Sequence, residues 1–354
     1  MSSAFEDLLL ARSRDHGVAG LLHHHGASIG DWPVSLRDRL RQDAMGLAMI
    51  ELQLRLDLKA VLSGLSTGGV RPILLKGTAL AYSVYDQPAT RPRGDTDFLI
   101  DADEKPAVDE LLRSLGWRKS RVVHGDFVSA QCCYFLSKPS GPDLCLDVHW
   151  EINNSHVLTG LMDVEGLKRR AGPLPRLCDE AVGVSRVDAL VHACVHRIGH
   201  LADFPDPLSM LTGERLIWLY DIHLLATAMT NEDWDELTAM AGDAAPALHD
   251  SLLAAHRHLG TRVPRATFGQ AMDSQRVRKL QKFKAAGQLD RLWMEISEVK
   301  SVRNKVAYLW ELVFPDLDYM RSRHPRANRA QLGLHYVGRA VGGLLKRSGW
   351  RTKS

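Results

Sequence analysis

Asp95 and Asp97, two acids separated by one residue, stand at the head of an apolar run that ends at Ile100. On a strand, side chains alternate, so both carboxylates leave one face while Thr96 and Phe98 leave the other. A third acid, Asp147, lies in a second alternating segment. There Leu144, Leu146, Val148 and Trp150 share one face, and Cys145, Asp147 and His149 share the opposite one. Three convergent carboxylates repel one another and raise each other's pKa. A divalent cation relieves that repulsion, and hard oxygen donors suit Mg2+ or Mn2+. Such a centre can polarise a phosphate and activate an attacking hydroxyl for in-line displacement.

A phosphate-bearing substrate also needs positive charge and backbone donors. Upstream of the acids the chain reads ILLKGTAL, an apolar run that turns at a glycine into a helical pattern. Gly77 admits close backbone approach, and the amides of Gly77, Thr78 and Ala79 at a helix start can receive phosphate oxygens. Thr78 adds a hydroxyl, and Lys76, Arg91 and Arg93 are placed to neutralise a triphosphate. A lone Asp-x-Asp is more often a cap or a solvated turn, and a lone Lys-Gly-Thr is equally weak. Their order is what points to nucleotidyl transfer: strand, glycine turn, helix, paired acids, then a third acid on a later strand.

The elements that must hold these residues follow from the pattern around them. Residues 70–75 read as a strand, 78–85 as a short helix and 86–94 as a turn-rich loop. The second strand begins near Asp95. Asp103 caps a helix through Leu115 that Gly116 closes. Residues 118–123 and 127–136 form a hairpin with His124-Gly125-Asp126 near its turn, and the last strand covers 144–150. Before this unit, Ser2 or Ser3 caps a helix through Leu10, and a long amphipathic helix runs from Pro33 to Leu65, stopped by Gly64 and the pair Gly68-Gly69. After it, helical patterns cover 161–170, 187–201, 213–229, 232–242, 245–259 and 290–313. The expected architecture is α+β: a helical arm over 1–66, a small mixed-sheet domain over 67–155 and a larger helical domain over 156–354.

With these motifs in place, the stretch LLKGTALAYSVYDQPATRPRGDTDFLI resembles the nucleotidyltransferase superfamily typified by polymerase beta and kanamycin nucleotidyltransferase. Together with LDVHW, it is similar more narrowly to a bacterial group of uncharacterised nucleotidyltransferases. In that group LKG-x-AL, a YxxPxxR loop, GDxDxL and a late DxHW recur in this order. RLIWLYDIHLL and FPDLDYMRSR resemble the helical portion of the same group, so the likeness spans roughly residues 40 to 325. The resemblance implies that Gly77 and Thr78 bind nucleotide, that Asp95 and Asp97 hold metal, and that Asp147 helps activate the acceptor. Thr78 stands where serine is commoner and keeps the hydroxyl. The implied reaction is Mg2+- or Mn2+-dependent transfer of a nucleoside monophosphate from an NTP donor to a hydroxyl or phosphate, releasing pyrophosphate. The acceptor stays open among small molecule, peptide, protein and RNA. The alternatives are a non-catalytic nucleotide-binding regulatory module and a toxin-type nucleotidyltransferase acting on RNA or protein. Nothing in the chain offers a template-binding module, which argues against a polymerase.

Further residues bear on the acceptor side. His149 shares a strand face with Asp147, where it can orient that acid, touch substrate or act as a base, or serve only as a buried, hydrogen-bonded structural residue. His192, His196 and His200 follow at i, i+4 and i+8, and Asp188 extends the row; such spacing can hold zinc, but Cys194 points elsewhere and a place near the acceptor is the expectation. Arg215, Trp218 and Asp221 are spaced to share a helix face, ready for an acceptor contact or for packing between units. His23, His24 and His25 are expected in a loop with no role.

A net charge of +3 is too small to argue for nucleic acid. The charge is uneven, however: no acid follows Asp318, and the basic C-terminal tail from Arg321 to Lys353 can meet an anionic partner or lie solvated. Five cysteines without a CxxC pair fit a reducing compartment. No apolar run reaches membrane-spanning length, and the acidic N-terminus is no signal peptide, so a cytoplasmic location is expected.

Overall fold

The computed structural model describes residues 3–120, 128–139, 141–202, 213–264, 274–314, 317–324, 326–328 and 331–338. Three helices open the chain: α1 (Ser3–Asp15), α2 (Ala19–Ile29) and α3 (Val34–Thr67). Leu10, Ala19, Leu36 and Leu40 close a small core among them. The histidine run His23–His25 therefore sits in a helix rather than a loop. Its three side chains are exposed while Ala19 and Leu21 on the inner side are buried, so packing of one helical face overrides weak local propensity.

The C-terminal half of α3 buries Leu54, Leu58, Val61, Leu62 and Leu65 against the sheet domain. Gly64 does not stop this helix. A Cβ there would lie 2.9 Å from Leu111 Cδ1, so the glycine lets α3 approach α5 (Lys105–Ser114). Termination comes at Gly68, whose amide returns to the Gly64 carbonyl at 3.1 Å, and at Gly69 with φ +82°.

The sheet has seven strands in the order β3-β4-β5-β2-β1-β7-β6. They are β1 (Ile73–Leu74), β2 (Thr96–Leu99), β3 (Arg118–Lys119), β4 (Gln131–Leu136), β5 (Leu144–His149), β6 (Gly172–Pro173) and β7 (Val182–Gly183). β5 and β2 pair in parallel, as do β1 and β7; the other pairs are antiparallel. One face, with Phe98, Leu146 and Val148, packs on α3 and α5 through Val108 and Leu112. β6 and β7 extend the sheet beyond residue 155. The helix expected to start at Asp103 is led instead by Asp101, which forms a capping box with Glu104 over the turn Ala102–Glu104. The hairpin tip with His124, Gly125 and Asp126 lies outside the described residues.

The C-terminal half is helical: α6 (His156–Thr159), α7 (Val164–Arg170), α8 (Arg186–Ala202), α9 (Leu216–Ala228), α10 (Asn231–Met240) and α11 (Ala245–Leu259). Leu190, Val195 and Ile198 of α8 pack with Ile222 and Leu225 of α9 and Leu248 and Leu252 of α11 in a second core. Further helices cover Ser274–Ala285, Gln288–Glu298, Val302–Val313 and Leu317–Arg323. The single segment expected over 290–313 is two helices, parted by Ser301 at φ +71°. Of the basic tail, Arg321, Arg323 and Arg326 are described and exposed; Arg329 and everything from Arg339 onward lie outside the described residues. Among the described residues no helix is long and apolar enough to cross a membrane.

Candidate active site

The parallel pairing of β2 and β5 sets Asp97 opposite Asp147 and Leu99 opposite His149. Alternation then sends Asp97, Asp147 and His149 to the face away from Phe98, Leu146 and Val148. The ligand-capable atoms of Asp97, Asp147 and His149 all lie within 4.8 Å of one another. His149 Nε2 is 2.9 Å from Asp97 Oδ1, and both side chains are buried. Asp95 is not a member of this trio. The strand begins at Thr96, so Asp95 stands just ahead of the ladder and only partly buried. It is close enough to feel the others: burial first, then the charge of Asp97, pushes its pKa up to about 6. Asp97 behaves oppositely. Burial alone would raise it, but the Lys76 ammonium and the His149 bond outweigh burial and hold it well below the usual carboxylate range.

Lys76 reaches the acids through a constrained turn. The Leu75 amide donates to the Asp97 carbonyl at 3.0 Å. Lys76 then adopts φ +46°, and its Nζ donates to Asp97 Oδ1 at 2.5 Å. A left-handed lysine costs on the order of 1 kcal/mol. The helix α4 (Lys76–Ser83) starts at this residue, slightly earlier than its sequence suggests. Gly77 follows, and a Cβ on it would sit 3.3 Å from Arg91 Nη1, so the glycine makes room for a guanidinium as well as for any ligand. Thr78 is buried with its hydroxyl 3.5 Å from Thr96 Oγ1, on the side of β2 opposite the acids.

Two arginines expected at the nucleotide have acid partners of their own. The charge of Arg91 reaches Asp95, but its hydrogen bonds go elsewhere. Its Nε and Nη2 make a bidentate pair with Asp221 of α9 at 2.8 Å each, and Nη1 donates to the Pro92 carbonyl at 2.7 Å. Arg93 is likewise engaged, pairing with Glu51 of α3 at 2.5 and 3.1 Å beside the Tyr82 ring. Charge and proximity in sequence suggested phosphate ligands. The two acids that claim these arginines are far off in sequence, where no local pattern announces them. Tyr85 adds a hydroxyl bond to Asp221 at 2.6 Å. Glu51, Asp221 and Tyr85 are therefore site-shaping residues that sequence reasoning missed or left among alternatives.

Asp97 on its strand, joined to Asp147 by parallel register, with a lysine–glycine turn feeding a helix beside it, is one arrangement in two halves. A family model described as Uncharacterised nucleotidyltransferase matches residues 2–260. The chain belongs to that family. No curated protein matches it. The enzyme is thus a nucleotidyltransferase, and the matched span takes in the sheet domain together with α1–α11.

In this nucleotidyltransferase the donor set fits a divalent cation: two carboxylates and an imidazole converge, buried, beside a fourth group, Asp95, whose pKa is raised by burial and then by the Asp97 charge. Thiols complete the surroundings of Asp147. Cys145 Sγ donates to Asp147 Oδ1 at 3.6 Å, and Cys133, opposite Asp147 in the β4–β5 register, also bonds to it. Burial, reinforced by Asp147, pushes both thiols up and keeps them protonated.

The far wall comes from α8, which packs on α4. His192, His196 and His200 do share one face. His196 Nε2 lies 3.0 Å from His200 Nε2, and His200 stacks on Trp218 with centroids 4.8 Å apart. Asp188 leaves the row to pair with Arg170 at 2.6 Å. His192 and His196 line a narrow cavity with Lys76, Gly77, Trp218 and Asp221. Burial, then the Lys76 charge, pushes His192 down to about 3; burial, then His200, holds His196 well below the usual imidazole range. Both imidazoles are neutral, and His192 Nε2 is buried without a partner. Arg215 stands apart from the acids: its Nε donates to the Asp15 carbonyl at 3.1 Å and its guanidinium lies over Trp218.

Proposed function

We propose that the protein moves a nucleoside monophosphate from an NTP to a hydroxyl or phosphate of an acceptor, with release of pyrophosphate and with Mg2+ or Mn2+ as cofactor. The convergence of Asp97, Asp147 and His149 next to Lys76 carries this reading. Asp97 and Asp147 would hold the cation, with Asp95 at its edge. Bound there, a divalent ion supplies charge neutralisation at the transferring phosphate.

The chain's own residues do the rest. The amides of Gly77 and Thr78 at the start of α4 face incoming phosphate oxygens, a role for Thr78 that does not need its engaged hydroxyl. Lys76 balances triphosphate charge. Asp147, buried between two protonated thiols, takes the proton of the acceptor hydroxyl, while His149 stands beside Asp97 as a third donor for the cation. Arg91 and Arg93 fasten the loop ahead of Asp95 to α9 and α3, which positions the acids without touching substrate. His196 and Trp218 border the acceptor side, and Arg215 braces Trp218. Five free thiols support a cytoplasmic, reducing location.

The test is a panel of α-labelled NTPs with Mg2+ or Mn2+, offered host extract as acceptor and resolved by mass. Transfer of label to one class of product is expected. Failure of every NTP to label any product, with the protein folded, would remove the reading.

A further inference from the structure

The oxygen that should be most attractive to a metal already carries a cation. Lys76 Nζ and His149 Nε2 both lie on Asp97 Oδ1, at 2.5 and 2.9 Å. Asp147 stands across the β2–β5 register from Asp97, and Asp95 lies just ahead of the strand. The ammonium is thus a positive charge already resident on Asp97, and that charge is tethered. Its backbone is fixed by the Leu75 amide on the Asp97 carbonyl and by the left-handed φ of +46°. The tether itself is a flexible four-carbon stem, and the Lys76 side chain keeps 24% of its surface exposed. A divalent ion and an ammonium cannot occupy the same carboxylate oxygen without strong repulsion in a buried site.

We propose that Lys76 is a built-in stand-in for the metal: the ammonium and a divalent cation are alternative occupants of the seat formed by Asp97, Asp147 and His149. Entry of the ion displaces Lys76 Nζ, and the freed ammonium swings to the start of α4, where the triphosphate binds. Metal and nucleotide binding then reinforce each other, because the nucleotide gives the displaced charge a partner. Without nucleotide the seat closes on its own lysine and binds metal weakly. His149 lies inside the seat, so a nitrogen donor stands among the oxygen donors, which favours Mn2+ over Mg2+. The inference rests on the metal-dependent reading above and adds to it the order in which the charges move.

Mn2+ binding followed by electron paramagnetic resonance tests it without any turnover. In the absence of nucleotide, Lys76→Met should bind Mn2+ roughly tenfold tighter than wild type. Lys76→Gly, which also relieves the left-handed backbone, should do the same, while Lys76→Arg should stay weak. A non-hydrolysable NTP should tighten Mn2+ binding in wild type and lose most of that effect in Lys76→Met. The bound ion should show coupling to an imidazole nitrogen that disappears in His149→Gln. Equal or weaker Mn2+ binding by both charge-removing variants would overturn the exchange while leaving metal dependence standing. Absence of Mn2+ binding from every form, with and without nucleotide, would overturn both.

Discussion

His192 shows how strongly single residues in this cleft are bent from their ordinary chemistry. It is 2% exposed, its pKa is pushed down to about 3 by burial and by Lys76, and one ring nitrogen has no partner. A folded-state pKa below the unfolded value contributes stability that is present above about 6.5 and lost as pH falls toward 3. Between pH 7 and pH 4, wild type should lose on the order of 3 kcal/mol that His192→Phe does not lose. Urea unfolding at both pH values checks this, and parallel losses in the two proteins would contradict it. At this scale Asp97, Asp147 and His149 were legible in the sequence, because a period of two is enough to place side chains on one face of a strand. The partners of Arg91 and Arg93 were not. A guanidinium's charge is visible in the chain, but its partner is not, and here the partners stand 130 and 42 residues away.

The element that most constrains the site is the loop ahead of β2, held from both sides. Arg93 ties it to α3 through Glu51, and Arg91 ties it to α9 through Asp221, with Tyr85 as a further donor. The Arg91–Asp221 pair is nearly sealed, with side chains 10% and 5% exposed. Breaking one partner strands a buried charge, so Asp221→Ala should cost about 3–5 kcal/mol. Arg91→Met combined with Asp221→Leu should recover much of that loss. A double-mutant cycle by chemical denaturation measures the coupling, and additive losses would refute it. The sites of the principal helices were readable from periodicity. β6 and β7 were not, because two-residue strands rich in glycine and proline show no alternation. α2 was misread at its histidines, since burial against α3 rather than propensity makes it helical. Gly64 misled for a related reason: its small size serves the approach of Leu111, a contact invisible until α5 is in place.

At the scale of the molecule, we propose three cooperating units over 1–66, 67–155 and 156–354, with borrowed edges. The sheet takes the C-terminal half of α3 as cover on the face opposite the acids, and β6 and β7 as strands. α8 and α9 wall the narrow cavity beside Lys76 with two neutral imidazoles, Trp218 and the Asp221 that Arg91 neutralises. We propose that this arrangement separates a donor side, rich in acids and Lys76, from an acceptor side without net charge. The central claim is that the Asp97–Asp147 face performs metal-dependent nucleotidyl transfer. Pyrophosphate release from NTP, measured with Mn2+ and host extract for wild type, Asp97→Asn and Asp147→Asn, addresses it most directly. Wild type should release pyrophosphate only with metal, and each variant should lose at least about a thousandfold in rate while remaining folded. Release that persists in folded Asp97→Asn or without metal would contradict it.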